Sequence, residues 1–78
     1  MPGLDHDSPQ PLYEQLATAL RDSISSGQLT GRMPSEHSLM QEYEVSRGTV
    51  RRAIEILTSE GLVRISRGRG MFVTGEGS

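Results

Sequence analysis

The residues with the clearest chemical potential lie in two arginine-bearing segments of the second half of the chain. The first segment runs from Val45 to Leu57 and includes Arg47, Arg51 and Arg52, and the second is Arg67-Gly68-Arg69-Gly70. An arginine fork forms bidentate hydrogen bonds to a guanine edge or to a phosphate. A basic helix beside an arginine-tipped hairpin therefore suits contact with duplex DNA, with base edges in one groove and phosphates next to it.

Charge is distributed unevenly along the chain. Residues 1–44 include two arginines and seven acidic residues, whereas residues 45–69 include six arginines and two glutamates. The formal net charge of -2 therefore conceals a basic second half of the kind that nucleic-acid contact requires. Lysine is absent, and arginine suits bidentate contact with guanine or phosphate. A GC-rich coding sequence would produce the same bias toward arginine.

Composition excludes several classes of protein. The chain has 78 residues, enough for one domain with a modest core, and it has no cysteine, so disulfide frameworks and zinc fingers are excluded. The first residues lack the basic start and apolar run of a secretion signal, and no segment approaches the roughly 18 apolar residues of a membrane span. We therefore expect a cytoplasmic protein without a membrane partner.

No group of residues has the spacing of an active site or a metal centre. Ser35, Glu36 and His37 include the side chains of a hydrolase, but they are adjacent in sequence, and no nucleophile elbow or glycine-rich oxyanion loop accompanies them. His6 lies in a polar tail without partners at ligand spacing. We expect no enzyme activity, no cofactor and no bound metal.

Hydrophobic periodicity predicts two helices in the first half of the chain. The first spans residues 12–26 and ends at Gly27, because apolar side chains recur at every fourth position: Leu12, Leu16, Leu20 and Ile24. After a loop closed by Pro34, a second helix begins with Ser35 as its N-cap and ends near Glu44. Its candidate buried residues are Leu39, Met40 and Tyr43.

A third helix and a hairpin are predicted after the turn at Val45-Ser46. Ser46 caps this helix, Gly61 ends it, and its apolar stripe consists of Val50, Ala53, Ile54 and Leu57. Strand-like runs at residues 62–66 and 71–74 flank the glycine-rich turn. Three helices plus a two-stranded wing, mainly α, are the order of a winged helix-turn-helix. We assign residues 11–74 to this domain, 1–10 to a flexible tail and 75–78 to the start of a linker.

Six short motifs occur in the order and near the spacing of a known family. They are Pro11-Leu12-Tyr13, Pro34-Ser35-Glu36, Val45-Ser46-Arg47, Thr49-Val50-Arg51, Glu60-Gly61-Leu62-Val63, and Gly68-Arg69-Gly70 followed by Phe72-Val73. Over about residues 11–73 the chain resembles the N-terminal domain of GntR-family bacterial transcription regulators, and it is most similar to the branch called HutC-like. The resemblance implies a winged helix-turn-helix that binds DNA.

Three features depart from the family pattern. The loop from Gly27 to Met33 is shorter than usual and lacks a proline. Glu44 stands where the family tends to have glycine, and His37 stands where it tends to have arginine, which weakens the expectation of a DNA contact at His37. Family members normally continue into a C-terminal effector-binding and dimerisation domain, so this chain resembles an isolated DNA-binding domain.

Four residues at the start of the third helix are predicted to contact DNA. Arg47 lies in the first turn, where a recognition helix points its side chains at base edges, and Arg51 follows on the same face. The resemblance implies a DNA contact for both arginines. Thr49 can donate to a phosphate or place its methyl group against thymine, or it can simply complete the helix cap. Ser46 caps the helix where backbone amides can approach a phosphate.

The remaining candidates lie on other parts of the predicted fold. Arg52 points to another side of its helix, where an ion pair with Glu55 and a phosphate contact are equally supported. The wing-tip candidates are Arg67, Gly68 and Arg69. The glycine permits a close approach of the backbone to DNA, and the arginines can enter the minor groove. The alternative is that any hairpin tip favours glycine and solvated charge. Ser35 and His37 begin the helix that crosses the DNA backbone, and a solvated histidine is the equal alternative.

The sequence thus predicts sequence-specific binding of double-stranded DNA by a bacterial transcriptional regulator, with repression favoured. The family implies a homodimer on a pseudo-palindromic operator, one domain per half-site, and a small-molecule effector for the full-length protein. The isolated domain is expected to be a monomer. The alternative is a winged-helix module for protein–protein contact, and salt dependence separates the two because phosphate binding weakens steeply as salt rises.

Overall fold

Three helices followed by an antiparallel hairpin form the fold. The computed structural model describes residues 4–74. Helix α1 spans Leu12–Ser26, α2 spans Glu36–Tyr43 and α3 spans Arg47–Ser59, and the hairpin pairs β1, Val63–Ser66, with β2, Gly70–Val73. We call this hairpin the wing. The predicted element order is confirmed, and no helix within residues 4–74 has both the length and the apolar character to cross a membrane.

The starts of α2 and α3 are built in the same way. Ser35 Oγ accepts the backbone N–H of Ser38 at 3.1 Å, and Ser46 Oγ accepts the backbone N–H of Thr49 at 3.1 Å. Each serine satisfies one of the backbone donors that a helix start leaves without an intrahelical partner. Both predicted N-caps are therefore confirmed. Gly27, with φ 85°, confirms the predicted left-handed end of α1.

Glu44 ends α2 in the left-handed conformation, with φ 57° and ψ 51°. It is the single non-glycine residue with positive φ in the described part of the chain. Its own N–H and the N–H of Val45 donate to the Met40 carbonyl, which closes the turn into α3. A side chain in this conformation costs about 1–2 kcal/mol, which explains why glycine suits this turn.

The core lies where α1 crosses α3 and where α2 and the wing cover the ends of that contact. The largest side chains with almost no exposure come from all three helices: Leu16, Leu20, Leu39, Val50 and Leu57. Ala53, Ile54 and Leu57 confirm the predicted stripe of α3. Met33 in the loop before α2 is also buried, whereas Leu12 and Ile24 at the two ends of α1 are half-buried.

The loop before α2 pairs with the wing, which the sequence did not predict. Met33 N–H donates to the Met71 carbonyl at 2.8 Å, Val73 N–H donates to the Gly31 carbonyl at 2.7 Å, and Arg32 forms a bridge with Phe72. The hairpin boundaries also differ by one residue from the prediction. Leu62 and Thr74 lie outside the strands, and Gly70 belongs to β2 because it pairs with Ser66.

The segment before α1 lies against that helix. The Gln15 side-chain amide donates to the carbonyls of Asp5 and Gln10 at 2.9 and 2.8 Å and accepts the Asp5 N–H at 2.7 Å. Leu4 packs against the core. The flexibility of residues 1–10 stays a prediction, residues 1–3 lie outside the described range, and so does the proposed linker at 75–78.

A bidentate ion pair joins α1 to the end of α3. Arg21 Nε and Nη2 donate to the two carboxylate oxygens of Glu60 at 2.9 and 2.7 Å. The hydrogen bond from Arg21 holds the pKa of Glu60 below its ordinary value of 4.5, and the reciprocal bond raises the pKa of Arg21. Because both side chains remain more than one-third exposed, we expect a contribution of about 0.2–1 kcal/mol.

We predict opposite effects for the same substitution inside α2 and at the residue that caps its end. Glu44→Gly removes the left-handed strain and should raise the free energy of unfolding by about 0.5–1 kcal/mol. Glu42→Gly, at an exposed position inside the helix, should lower it by about 1 kcal/mol. Urea denaturation of both variants measures the difference. Destabilisation by Glu44→Gly would contradict the assignment of strain to this turn.

We also predict that the stability contribution of Glu60 depends on pH. Since its pKa is lowered in the folded state, this contribution is present above pH 4.5 and is lost as the pH falls through the folded-state pKa. Wild-type protein should exceed Glu60→Gln in unfolding free energy by up to about 1 kcal/mol at neutral pH. The difference should vanish in strong acid, as followed by urea denaturation. A difference that persists there would contradict the ion-pair account.

Candidate nucleic-acid interface

An open groove of about 790 Å³ runs between the starts of α2 and α3 and the wing. We call it the interface groove. Six of the ten predicted site residues line it: Ser35, His37, Arg47, Arg51, Arg67 and Gly68. They come from three separate segments of the chain, so the fold brings together residues that are up to 33 positions apart in sequence. Met33, Ile54 and Met71 supply apolar parts of the lining.

Two helix starts border the interface groove. Their first-turn N–H groups and the positive ends of their dipoles favour an anion at this place. Ser46 and Thr49 lie beside the lining residues, and their hydroxyls share a hydrogen bond of 3.1 Å. A hydroxyl has one proton to donate, so this pair keeps one O–H for an outside acceptor. Ser35 and Ser38 repeat the same arrangement at the start of α2.

Arg47 and Arg51 share one carboxylate across the groove wall. Arg51 Nε donates to Glu36 Oε2 at 2.8 Å, and Arg47 Nε lies 3.5 Å from Glu36 Oε1. The hydrogen bond to Glu36 raises the pKa of Arg51. The two arginine side chains are 56 and 63% exposed, against 33% for Glu36. Two cations thus face solvent over one partly covered anion, which leaves this part of the groove positive.

Arg52 lies away from the interface groove. Its guanidinium carbon is 4.5 Å from the centre of the Tyr13 ring on α1, a cation–π contact. The expected alternative, an ion pair with Glu55, is absent among residues 4–74. The helical spacing of Arg52 and Glu55 allowed that pair, but the ring on the neighbouring helix holds the guanidinium instead. A DNA contact by Arg52 stays a prediction.

The wing tip presents two arginines on a tight turn. Arg69 N–H donates to the Ser66 carbonyl at 3.0 Å, and Gly68 occupies the turn with φ 76°. A positive φ at this turn position favours glycine. Arg67 and Arg69 are both exposed. Arg67 and Gly68 face the interface groove, whereas Arg69 is outside its lining.

Sequence reasoning missed Arg32, which holds the wing from the side. Arg32 Nη2 donates to the Arg69 carbonyl at 2.8 Å, and its guanidinium carbon lies 6.0 Å from the centre of the Phe72 ring. Arg64 approaches the same ring, at 5.8 Å. Arg32 lies in a loop, 37 residues before its hydrogen-bond partner, so no local pattern indicated the contact.

Glu36 was also missed as the partner of the two α3 arginines, Arg47 and Arg51. Glu36 is the first residue of α2, at the positive end of the helix dipole, where an acid is favoured for local reasons alone. Its ion pairs with Arg47 and Arg51 depend on how α2 and α3 meet. The sequence did contain a signal for these ion pairs. In the predicted helix-turn-helix, an acid begins one helix and arginines begin the next.

The chain matches the family model described as bacterial regulatory proteins, gntR family, over residues 12–73. It is 38% identical over 73 residues to the HTH-type transcriptional repressor NagR of Bacillus subtilis, covering 91% of this chain and 30% of that protein. It is 40% identical over 68 residues to the histidine utilization repressor of Klebsiella aerogenes, covering 85% of this chain and 28% of that protein. The chain therefore spans under a third of the length of these relatives.

Solved structures share the fold. The DNA-binding domain of AraR, crystallised in complex with operator ORX1, superposes with a TM-score of 0.85 at 34% identity, covering 92% of this chain and 94% of that one. YtrA from Sulfolobus acidocaldarius, a GntR-family transcription factor, gives a TM-score of 0.82 at 30% identity, covering 92% and 78% of the two chains. The predicted winged helix-turn-helix is confirmed.

We predict that Gly70 is constrained by Arg32 as well as by its backbone. Its φ is 116°, and an added Cβ would lie 3.2 Å from Arg32 Nη2. Gly70→Ala should therefore lower the unfolding free energy by about 1–3 kcal/mol. Gly68→Ala is the matched control, since its φ is also positive but nothing lies within 4 Å of its added Cβ. The control should cost about 1 kcal/mol.

The contribution of Arg32 is isolated by repeating both substitutions in an Arg32→Ala background, with unfolding free energies from urea denaturation. Part of the Gly70→Ala cost should disappear there, and the Gly68→Ala cost should stay the same. Equal costs for the two glycine variants in both backgrounds would contradict the contact.

Proposed function

The chain belongs to the GntR family of bacterial regulatory proteins, and on that premise we propose that it binds double-stranded DNA sequence-specifically as the DNA-binding domain of a transcriptional repressor. The observation that carries the proposal is the interface groove, in which two capped helix starts, Arg47, Arg51 and the wing tip face one side of the molecule.

Each border of the groove has a role in the proposed complex. The start of α3 enters the major groove, where Arg47 and Arg51 read base edges. The start of α2, with Ser35 and His37, meets the phosphate backbone, as Ser46 and Thr49 do from α3. The wing places Arg67 and Arg69 in or beside the minor groove, with Gly68 allowing a close approach.

Similarity to a domain crystallised on its operator supports this proposal. AraR's domain matches 92% of this chain at 34% identity and was crystallised with operator DNA. The relatives NagR and the histidine utilization repressor are named as repressors. Their names describe transcriptional regulators, which supports a regulatory role without enzyme activity.

The proposal extends to the longer protein that the relatives represent. We propose that this domain is joined beyond residue 78 to an effector-binding and dimerisation domain. A homodimer would then place one domain on each half of a pseudo-palindromic operator, in the cytoplasm. Two linked domains gain about 10²- to 10⁴-fold in avidity when both engage. The isolated domain is accordingly expected to be monomeric and to bind weakly.

We predict that single arginine substitutions weaken DNA binding when the arginine lies in the interface groove and leave it nearly unchanged when the arginine lies elsewhere on the surface. Arg47→Ala or Arg51→Ala should weaken binding to the preferred duplex by about 5- to 150-fold, which corresponds to 1–3 kcal/mol for a lost base contact. Arg21→Ala is the matched control. It removes the same charge from α1, at the ion pair with Glu60 that follows the far end of the 13-residue α3, about 20 Å from the start of that helix. The affinity should change by less than about 2-fold.

Fluorescence anisotropy of labelled duplexes at several salt concentrations measures these affinities. The wild-type domain should prefer a palindromic duplex from its own upstream region over a random duplex, and binding should weaken steeply as salt rises. Failure to bind either duplex at low salt would contradict the proposal. It would favour a protein-contact module, for which Ile65 of the wing is a candidate contact because this large apolar side chain is 58% exposed.

A further inference from the structure

One carboxylate occupies the space between the two arginines that face the DNA in the proposed complex. Glu36 contacts Arg51 Nε at 2.8 Å and Arg47 Nε at 3.5 Å, with a different oxygen for each. Glu36 is itself placed by the backbone, since it is the first residue of α2 and directly follows the Ser35 cap. A charged group fixed in this way can orient flexible arginines.

We propose that Glu36 is a positioning and specificity-determining residue for DNA recognition, an inference that rests on the proposed function. Its carboxylate restrains Arg47 and Arg51 through their Nε atoms and leaves the outer edges of both guanidinium groups available. The class of ligand that those edges fit is a base edge with two neighbouring acceptors, as guanine presents in the major groove.

The choice of nitrogen matters for this role. A guanidinium has five N–H donors, and the two terminal nitrogens form an edge that can make two parallel hydrogen bonds. In Arg51 the hydrogen bond to Glu36 uses Nε, not the terminal nitrogens. The bidentate edge therefore remains free while the side chain has already lost part of its rotamer freedom. A pre-oriented arginine loses less conformational entropy when it docks.

The negative charge of Glu36 has a second consequence. A carboxylate at a surface that approaches phosphates weakens binding to every duplex by repulsion. Correct base contacts by Arg47 and Arg51 offset that repulsion on the preferred sequence only. Glu36 thus lowers affinity for random DNA and raises affinity for the preferred site relative to it, and both effects increase discrimination.

Two substitutions separate position from charge. Glu36→Gln keeps the length of the side chain and removes its charge, whereas Glu36→Asp keeps the charge and shortens the reach toward the arginines. Glu42→Gln is the matched control, because Glu42 is an exposed acid on the same helix that lies outside the interface groove and forms no ion pair within residues 4–74. Thermal unfolding of each variant checks that the domain is folded at the temperature of the binding experiment.

The test uses this 78-residue chain, a duplex selected by the wild-type domain from a randomised pool, and a random duplex. The readout is the dissociation constant for the random duplex divided by the dissociation constant for the selected duplex, so a larger ratio means stronger discrimination. We expect Glu36→Gln and Glu36→Asp each to reduce this ratio by about 10-fold, the scale of one lost base contact. Glu36→Gln should in addition bind random DNA more tightly than wild type. Glu42→Gln should leave the ratio within about 2-fold of wild type.

The outcomes distinguish the two proposals. If the wild-type domain selects no sequence and binds no duplex at low salt, the proposed function fails. If wild type discriminates and both Glu36 variants keep the wild-type ratio, the function stands and the role of Glu36 is overturned. A reduced ratio for Glu36→Gln with an unchanged ratio for Glu36→Asp also overturns it, because charge alone would then account for the effect. Nitrogen-15 spectra of the Arg51 Nε–H group in the free protein should shift in both Glu36 variants and stay unchanged in Glu42→Gln.

Discussion

The burial of one face of α3 is the constraint on which the rest of the structure depends. Val50, Ala53, Ile54 and Leu57 are each at most 4% exposed and form a single apolar stripe against α1, α2 and the wing. With 3.6 residues per turn, this stripe determines which side chains face outward. Arg47 and Arg51 fall on the outer face together because they are four residues apart. Packing of the core is therefore sufficient to place the proposed recognition residues on the exposed face of α3.

Everything around α3 then defines the shape of the interface. The turn at Glu44 accepts a left-handed backbone so that α2 can bring Ser35 and Glu36 next to the start of α3. On the other side, Arg32 holds the wing tip through the Arg69 carbonyl and lies close to Gly70. The turn at Glu44 and the Arg32 contact both restrict the conformations of a few residues. In return they hold three distant segments in one groove, which a recognition surface for a stiff duplex needs.

The parts of this structure that the sequence predicted are those with local causes. Ser35 and Ser46 are N-caps recognisable from the residues beside them, Gly27 is a C-terminal stop, and the four-residue apolar repeat identifies α1. The missed contacts join residues far apart in the chain. Arg32 with Arg69, Arg51 with Glu36, and Arg52 with Tyr13 depend on how elements cross, which periodicity does not determine. The family resemblance predicts which arginines contact DNA, but it did not indicate which acids and rings hold them.

The central claim is that DNA occupies the interface groove, and backbone amide shifts during titration with the preferred duplex test it most directly. The account predicts salt-sensitive shifts confined to residues 35–37 at the start of α2, residues 46–51 at the start of α3 and residues 67–70 of the wing. Shifts concentrated instead on the outer face of α1, around Glu14 and Asp22, would contradict it.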